Sequence, residues 1–255
     1  MDRPPMFRRV RRALRDHQQT RRRSGTLGWT VRQWCVLGVF VVTALVVAVG
    51  VITTRGDTVD PRVRTLAHHL LGTIESIPVR ATREHRGDYE RSAFGTAWTD
   101  DVRVPGGGNG CDTRNDILNR DLRDTRTGLA KTCAGAVLAG ELHSPYTGEF
   151  IVFRRDRGAA AVQIDHIVPL AYAWDMGAWG WPPELRRDFA NDPANLVAVD
   201  GKSNQDKSDG EPARWMPPAR GFWCQYAVQF VIVVRSYRLA VDAASRRVLS
   251  DALRC

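Results

Sequence analysis

Hydrophobic and polar positions change period several times along this chain. From Trp34 to Thr54 an uncharged run of 21 residues offers no charged face, and its length matches the roughly 20 residues that a membrane-spanning helix needs. From Asp60 to Ile77, the apolar residues Val63, Leu66, Ala67, Leu70, Leu71, Ile74 and Ile77 recur at helical spacing and predict an amphipathic helix. Asp112 stands where it can cap a helix with Ile117, Leu118 and Leu122 on one face. Residues 134 to 164 alternate and turn in a β manner. Val137 to Leu142 and Phe150 to Phe153 flank the turn Pro145-Tyr146-Thr147-Gly148, which predicts a hairpin, and Ala160 to Ile164 predicts a strand ending at Asp165-His166. Pro169 stops that run, and Leu170 to Trp174 is helix-like. After the turn Asn191-Asp192-Pro193, Leu196 to Val199 reads as a second short strand. Asp200 then caps a helix on which Asn204 and Lys207, at i and i+3, share one face. Tyr226 to Val234 fits helix and strand equally, and Val241 to Leu253 predicts a short terminal helix. Strands and helices in this order belong to the α+β class.

Charge divides the chain. Residues 1–33 hold ten Arg against Asp2 and Asp16, a net of +8, whereas residues 34–255 hold 27 Lys plus Arg against 26 Asp plus Glu, a net of +1. The basic pI therefore belongs to the tail and is no nucleic-acid footprint of the folded part. The tail, residues 1–33, lacks periodic apolar content and reads as a disordered cytoplasmic segment. Residues 34–54 read as a transmembrane anchor or, alternatively, as a signal segment cleaved after Val46-Val47-Ala48; dense Arg before the run puts the C-terminal part outside the cytoplasm in either case. Residues 55–80 read as a helical stalk and residues 81–255 as one domain, since a chain of 255 residues can bury one sizeable core.

The stretch from Ala161 to Asp209 carries the chemistry. Strand, strand and helix would bring Asp165, His166 and Asn204 together. Asp and Asn supply hard oxygen ligands, which suit Mg²⁺ or Mn²⁺ better than zinc, and an unligated imidazole beside such an ion is a natural base for an attacking water. Each residue alone has an ordinary structural explanation; the ordered set at this spacing is what points to a site. His68 and His69 lack a partner at i+4, and Gly106-Gly107-Gly108-Asn109-Gly110 lacks both a preceding apolar strand and a following Gly-Lys-Ser/Thr. Neither reads as a metal or phosphate motif. Tyr89, Phe94 and Trp98 read as core. Trp174, Trp179 and Trp181, between the two motif halves, read as a packed cover over the site.

Asp165-His166-Ile167-Val168-Pro169-Leu170, followed by Asn195-Leu196, Asn204, Lys207 and Asp209, resembles the HNH (ββα-metal) endonucleases. Within them the chain is similar to secreted bacterial proteins that share a nuclease domain with modification-dependent restriction enzymes. The resemblance takes in Phe94 to Trp98, Gly110 to Asn115, Pro145 to Gly148 and Trp215-Met216-Pro217, and so covers about residues 80–255. It implies a ββα-metal core with added helices and a β-hairpin. It also implies His166 as general base, Asp165 and Asn204 as ligands of one divalent ion, and Asn195 as a brace for the loop bearing the base. Lys207 would face a phosphate, and Arg114, at a characteristic position, would contact a phosphate or form an ordinary ion pair. The helix position carries no His, a departure that weighs against zinc.

Cys35 lies in the apolar run, which leaves Cys111, Cys133, Cys224 and Cys255, an even set with three formal pairings. The resemblance implies Cys111 with Cys133 and Cys224 with Cys255. The resulting expectation is a membrane-anchored or secreted, metal-dependent endonuclease that hydrolyses DNA, or RNA as well, leaving 5′-phosphates, with no obligate protein partner. Arg154, Arg155 and Arg157 would supply local positive charge. The alternatives are a non-catalytic nucleic-acid-binding module of the cell envelope on the same fold, and an envelope hydrolase with another substrate.

Overall fold

The computed structural model describes residues 34, 37–43 and 59–255, which fall into two units, Met1–Gly56 and Asp57–Cys255. In the first unit residues 37–43 are helical and exposed. Among the described residues no helix is long and apolar enough to cross a membrane. Most of the run expected to span residues 34–54 lies outside the described residues, as do the basic tail 1–33 and residues 55–58.

The second unit opens with helix α1 (Pro61–Glu75), capped by Asp60, whose side chain accepts from Arg62 N at 2.7 Å. Its apolar face buries Ala67, Leu70 and Ile74 against helix α6 (Trp223–Ser236). Helix α6 has eight buried residues, among them Val228, Phe230, Val231, Val233 and Val234. A helix apolar almost all round has no single face to reveal its period, which is why sequence alone left Tyr226 to Val234 undecided. Strand β1 (Val79–Arg80) pairs in parallel with β7 (Val241–Asp242), and Asp242 caps the terminal helix α7 (Ala243–Ala252) through Ser245 N at 2.8 Å. The first two residues of the run expected to be terminal helix are thus strand.

Helix α2 (Thr113–Asp121) is capped by Asp112 at Asn115 N, 2.8 Å. The expected hairpin has a third strand. Strand β2 (Arg123–Ala130) pairs antiparallel with β3 (Cys133–His143), which pairs with β4 (Phe150–Arg154). Its sequence, Arg-Asp-Thr-Arg-Thr-Gly-Leu-Ala, is mostly exposed, so no alternation marked it as a strand. Disulfides join Cys111 to Cys133 and Cys224 to Cys255. The first ties the start of α2 to the start of β3. Closing loops of these lengths is worth roughly 3 kcal/mol each in the chain-entropy model.

At the centre, β5 (Val162–His166) and β6 (Leu196–Asp200) pair antiparallel, Asp165 opposite Val197 and His166 opposite Leu196. Helix α5 (Gly201–Lys207) packs back on both strands. Strand β5 begins two residues later than the apolar pattern predicted, because Gly158 at φ 71° starts a 3-10 turn over Ala159–Ala161. Strand β6 is buried on both faces. Leu196 and Ala198 join Val162, Ile164 and Phe153 in one core, while Val197 and Val199 join the core built around α6.

Arg83 is tied into this arrangement. Only 4% of its side chain is exposed, and it donates to Asp175 Oδ2 at 2.8 Å, Asp209 Oδ2 at 2.8 Å and Glu211 Oε2 at 2.6 Å. Burial opposes its charge, but the hydrogen bonds to Asp175 and Glu211 outweigh that and raise its pKa. Removing one member of a buried ion cluster strands the others in low dielectric, at a cost of about 3–5 kcal/mol. Arg83→Met is expected to lower urea-unfolding stability by that amount; a loss under about 1 kcal/mol, the value of an exposed pair, would show that the cluster is solvated.

Candidate functional site

Consecutive residues of a strand point to opposite faces, and the end of β5 uses this. Asp165 turns toward Tyr146 and α5, whereas His166 turns toward Trp98 and the end of helix α4 (Pro183–Asn191). Both still line a cavity of about 440 Å³ together with Asn204, Asp209, Tyr89 and Arg91.

Asp165 is 6% exposed. Its Oδ2 accepts from Tyr146 Oη at 2.5 Å and from Lys207 Nζ at 2.6 Å, while Oδ1 takes no hydrogen bond among the described residues. Lys207 Nζ also donates to His166 O at 2.6 Å, and its side chain is fully enclosed. Burial lowers the Lys207 pKa against the pull of Asp165. Tyr146 is pushed well above the usual phenol range by burial and by the Asp165 charge, so it stays a hydrogen-bond donor at any physiological pH. The phosphate-facing position expected of Lys207 does not fit this placement. At i and i+3 it shares a helix with Asn204, but its ammonium points into the protein.

His166 Nε2 lies 2.8 Å from Ala190 O. A carbonyl only accepts, so this nitrogen carries the proton and Nδ1 keeps its lone pair. Nδ1 has no hydrogen-bond partner among the described residues. Burial pushes the imidazole down to about 4; the Ala190 hydrogen bond and Asp165 pull the other way, and Arg91 and Lys207 add to the lowering. The ring is therefore neutral at pH 7. The Trp98 indole stacks on it at 5.6 Å with 10° between planes. Trp98 itself sits at φ 57°, a left-handed backbone that costs a bulky residue about 1–3 kcal/mol. Trp98, expected in the core, is half-buried: it packs against the core that holds Val162 and Ile164 and also stacks on the imidazole.

The loop after His166 is held by Asn195, fully buried, whose Oδ1 accepts from Val168 N at 2.8 Å and whose Nδ2 donates to Val168 O at 3.3 Å. Asn204, which lines the cavity, donates through Nδ2 to Gln163 Oε1 at 2.7 Å, and its Oδ1 takes no hydrogen bond among the described residues. Helix α5 is positioned by its Asp200 cap, which accepts from Ser203 N at 2.7 Å. It is also positioned by Gly201, where a Cβ would lie 2.7 Å from Ala160 O.

Arg114 donates from Nη2 to Ala159 O at 3.2 Å and Val162 O at 3.1 Å. It forms no ion pair among the described residues; it holds the entry of β5 and lines a further cavity beside Asn204. The tryptophan cover is not found. Trp174 packs with Tyr89 and Phe94, Trp181 with Phe189 and Tyr237, and Trp179 is 48% exposed beneath Arg86. None of the three lines the cavities at Asp165 and His166. Nor do the arginines at the end of β4 and just after it: Arg155 donates to Val137 O and Asn115 Oδ1, and Arg154 and Arg157 flank Asp156. Arg91 carried no sequence signal, and Trp98 and Tyr146 entered within the stretches of the family resemblance with no site role, since what makes all three part of the site is contact across long separations.

Among the described residues there is no group of three or more His, Cys, Asp or Glu placed to hold a metal. The donor set at the cavity is instead two oxygens, Asp165 Oδ1 and Asn204 Oδ1, which fits an ion that keeps several waters and takes few protein ligands, as Mg²⁺ does.

The family model described as GmrSD restriction endonucleases, C-terminal domain, matches residues 112–252. An "uncharacterized secreted protein" of Arthroderma benhamiae is 37% identical over 145 residues, 56% of this chain and 67% of that protein. That relative is fungal, whereas the sequence resemblance pointed to a bacterial branch. No solved structure matches the chain.

The buried neutral histidine has a measurable consequence in metal-free protein. Its folded pKa of about 4 lies below the ordinary 6.5, so between these values the unfolded chain binds a proton that the folded one does not. Stability is then unaffected by this group above pH 6.5, falls as pH drops toward 4, and levels off below, a total of about 3 kcal/mol. Urea unfolding in chelator across pH 4 to 7 is expected to show this slope in the wild type and to show it reduced in His166→Phe; equal slopes would mean the imidazole is not desolvated.

Proposed function

Given that the chain belongs to the family of the GmrSD restriction endonuclease C-terminal domain, a nuclease family, we propose that it is a metal-dependent endonuclease. It hydrolyses phosphodiester bonds of DNA, with RNA as a second substrate, outside the cytoplasm. The observation that carries this reading is a neutral His166 with Nε2 committed to Ala190 O and Nδ1 free, on a cavity shared with Asp165 and Asn204.

In this mechanism His166 Nδ1 takes a proton from a water aligned with the phosphorus. Ala190 O keeps the tautomer, and Trp98 keeps the ring plane. Asp165 and Asn204 would hold one Mg²⁺ or Mn²⁺, which when bound acidifies water and offsets charge on the phosphoryl and leaving oxygens. Tyr146 and Lys207 fix Asp165 by its other oxygen, so the free one is presented in a single orientation. Asn195 locks the strand end that bears the base. Lys207 acts here as a positioning residue.

Two disulfides suit an oxidising compartment. The apolar run Trp34 to Thr54, as anchor or cleaved segment, and the relative named as secreted support export.

Supercoiled plasmid is the direct substrate for a test. With Mg²⁺ or Mn²⁺ the protein is expected to nick it, chelator to stop nicking, and His166→Ala to slow it by about 10²–10⁴-fold, the usual worth of a general base. Nicking at the wild-type rate by His166→Ala, or undiminished nicking in chelator, would contradict the mechanism. Binding without nicking under any metal would favour a non-catalytic module.

A further inference from the structure

A phosphodiester brings negative charge to the site, yet the cations singled out by sequence turn inward. Lys207 ends on Asp165 and His166 O, Arg114 on the carbonyls of Ala159 and Val162, and Arg155 on Val137 O and Asn115. Arg91 is different. It is exposed and makes no hydrogen bond or ion pair among the described residues.

Its place is as informative as its freedom. Arg91 lines a cavity of about 240 Å³ with His166 and Trp98, the cavity of about 440 Å³ with Asp165 and Asn204, and a third of about 290 Å³ with Arg114 and Asn204. It is common to all three, so it stands where they adjoin, on cavities that His166, Asp165 and Asn204 also line. Its mounting is firm. Arg91 opens a 3-10 turn, Arg91–Phe94, whose Phe94 is 2% exposed and packs against Trp174 and Phe189. Arg186 Nε donates to Ala93 O at 2.8 Å in the same turn. A guanidinium on a fixed base, with all five donors unspent, matches the paired oxygens of a phosphate.

We propose that Arg91 is the phosphate-binding residue of this site, gripping the non-bridging oxygens of the substrate phosphodiester beside His166. This rests on the endonuclease reading. Since the folded part carries almost no net charge, one correctly placed cation decides both affinity and register on the strand.

The test separates binding from cleavage. A fluorescein-labelled DNA duplex is titrated with the whole chain in Mg²⁺ over a salt series, in a non-cleaving His166→Ala background, with and without Arg91→Ala or Arg91→Lys. Arg91→Ala is expected to weaken binding about tenfold or more and to reduce the slope of log K against log salt by about 0.9, one phosphate contact. Arg91→Lys should restore the slope without the full affinity. On the wild-type background, plasmid nicking by Arg91→Ala should fall, with thermal unfolding unchanged. Unaltered affinity and slope in Arg91→Ala would overturn the assignment, as would failure of the parent protein to bind duplex at all. A parent that binds with an Arg91-dependent slope while the wild type never nicks would sink the endonuclease reading and leave Arg91 as the phosphate contact.

Discussion

The ammonium of Lys207, with no exposed surface, sits between the Asp165 carboxylate and the carbonyl of His166. It joins the end of β5 to the end of α5. Burying a lysine costs several kcal/mol unless its charge is matched and its donors are used. Here Asp165 and His166 O take two of its three donors, with Tyr146 donating to the same carboxylate oxygen. The arrangement holds only if strand, helix and the Tyr146 turn meet within hydrogen-bond distance, so it fixes all three together. It also decides which side of Asp165 faces the cavity.

Other features act on the same few atoms. Asn195 bonds Val168 through both ends of its amide, the Ala190 carbonyl selects the histidine tautomer, and Trp98 accepts an unfavourable backbone conformation to stack on the imidazole. At a distance, Arg83 ties the segment before the site to Asp175 on helix α3 (Leu170–Met176) and to Asp209 and Glu211 beyond α5. Local strain at Trp98 and dense hydrogen bonding around it are what a chain shows when the position of one side chain matters more than the cost of placing it.

The ββα order was legible because its signals are local. Short apolar, β-branched runs marked β5 and β6, Asp200 preceded a run able to be helical, and the resulting geometry puts Asp165, His166 and Asn204 on one cavity. The cysteine pairing followed the family layout, since the residues alone left three choices. What sequence did not give is what long-range contact decides. Lys207 was expected to face a phosphate because lysines on helices usually reach outward, and nothing between Tyr146 and Asp165 announces their bond. Strand β2 was hidden by its exposed polar residues, and helix α6 by burial on nearly every face. Arg91 is one arginine among many until the partners of the others are known.

If Lys207 and Tyr146 hold one oxygen of Asp165 so that the other, with Asn204, receives a single divalent cation beside a neutral His166, the ion itself can be counted. Electron paramagnetic resonance of Mn²⁺ titrated into the protein does so. One bound ion per chain is expected, lost in Asp165→Asn and weakened in Asn204→Ala. Undiminished binding in Asp165→Asn, or no binding by the wild type, would contradict this arrangement.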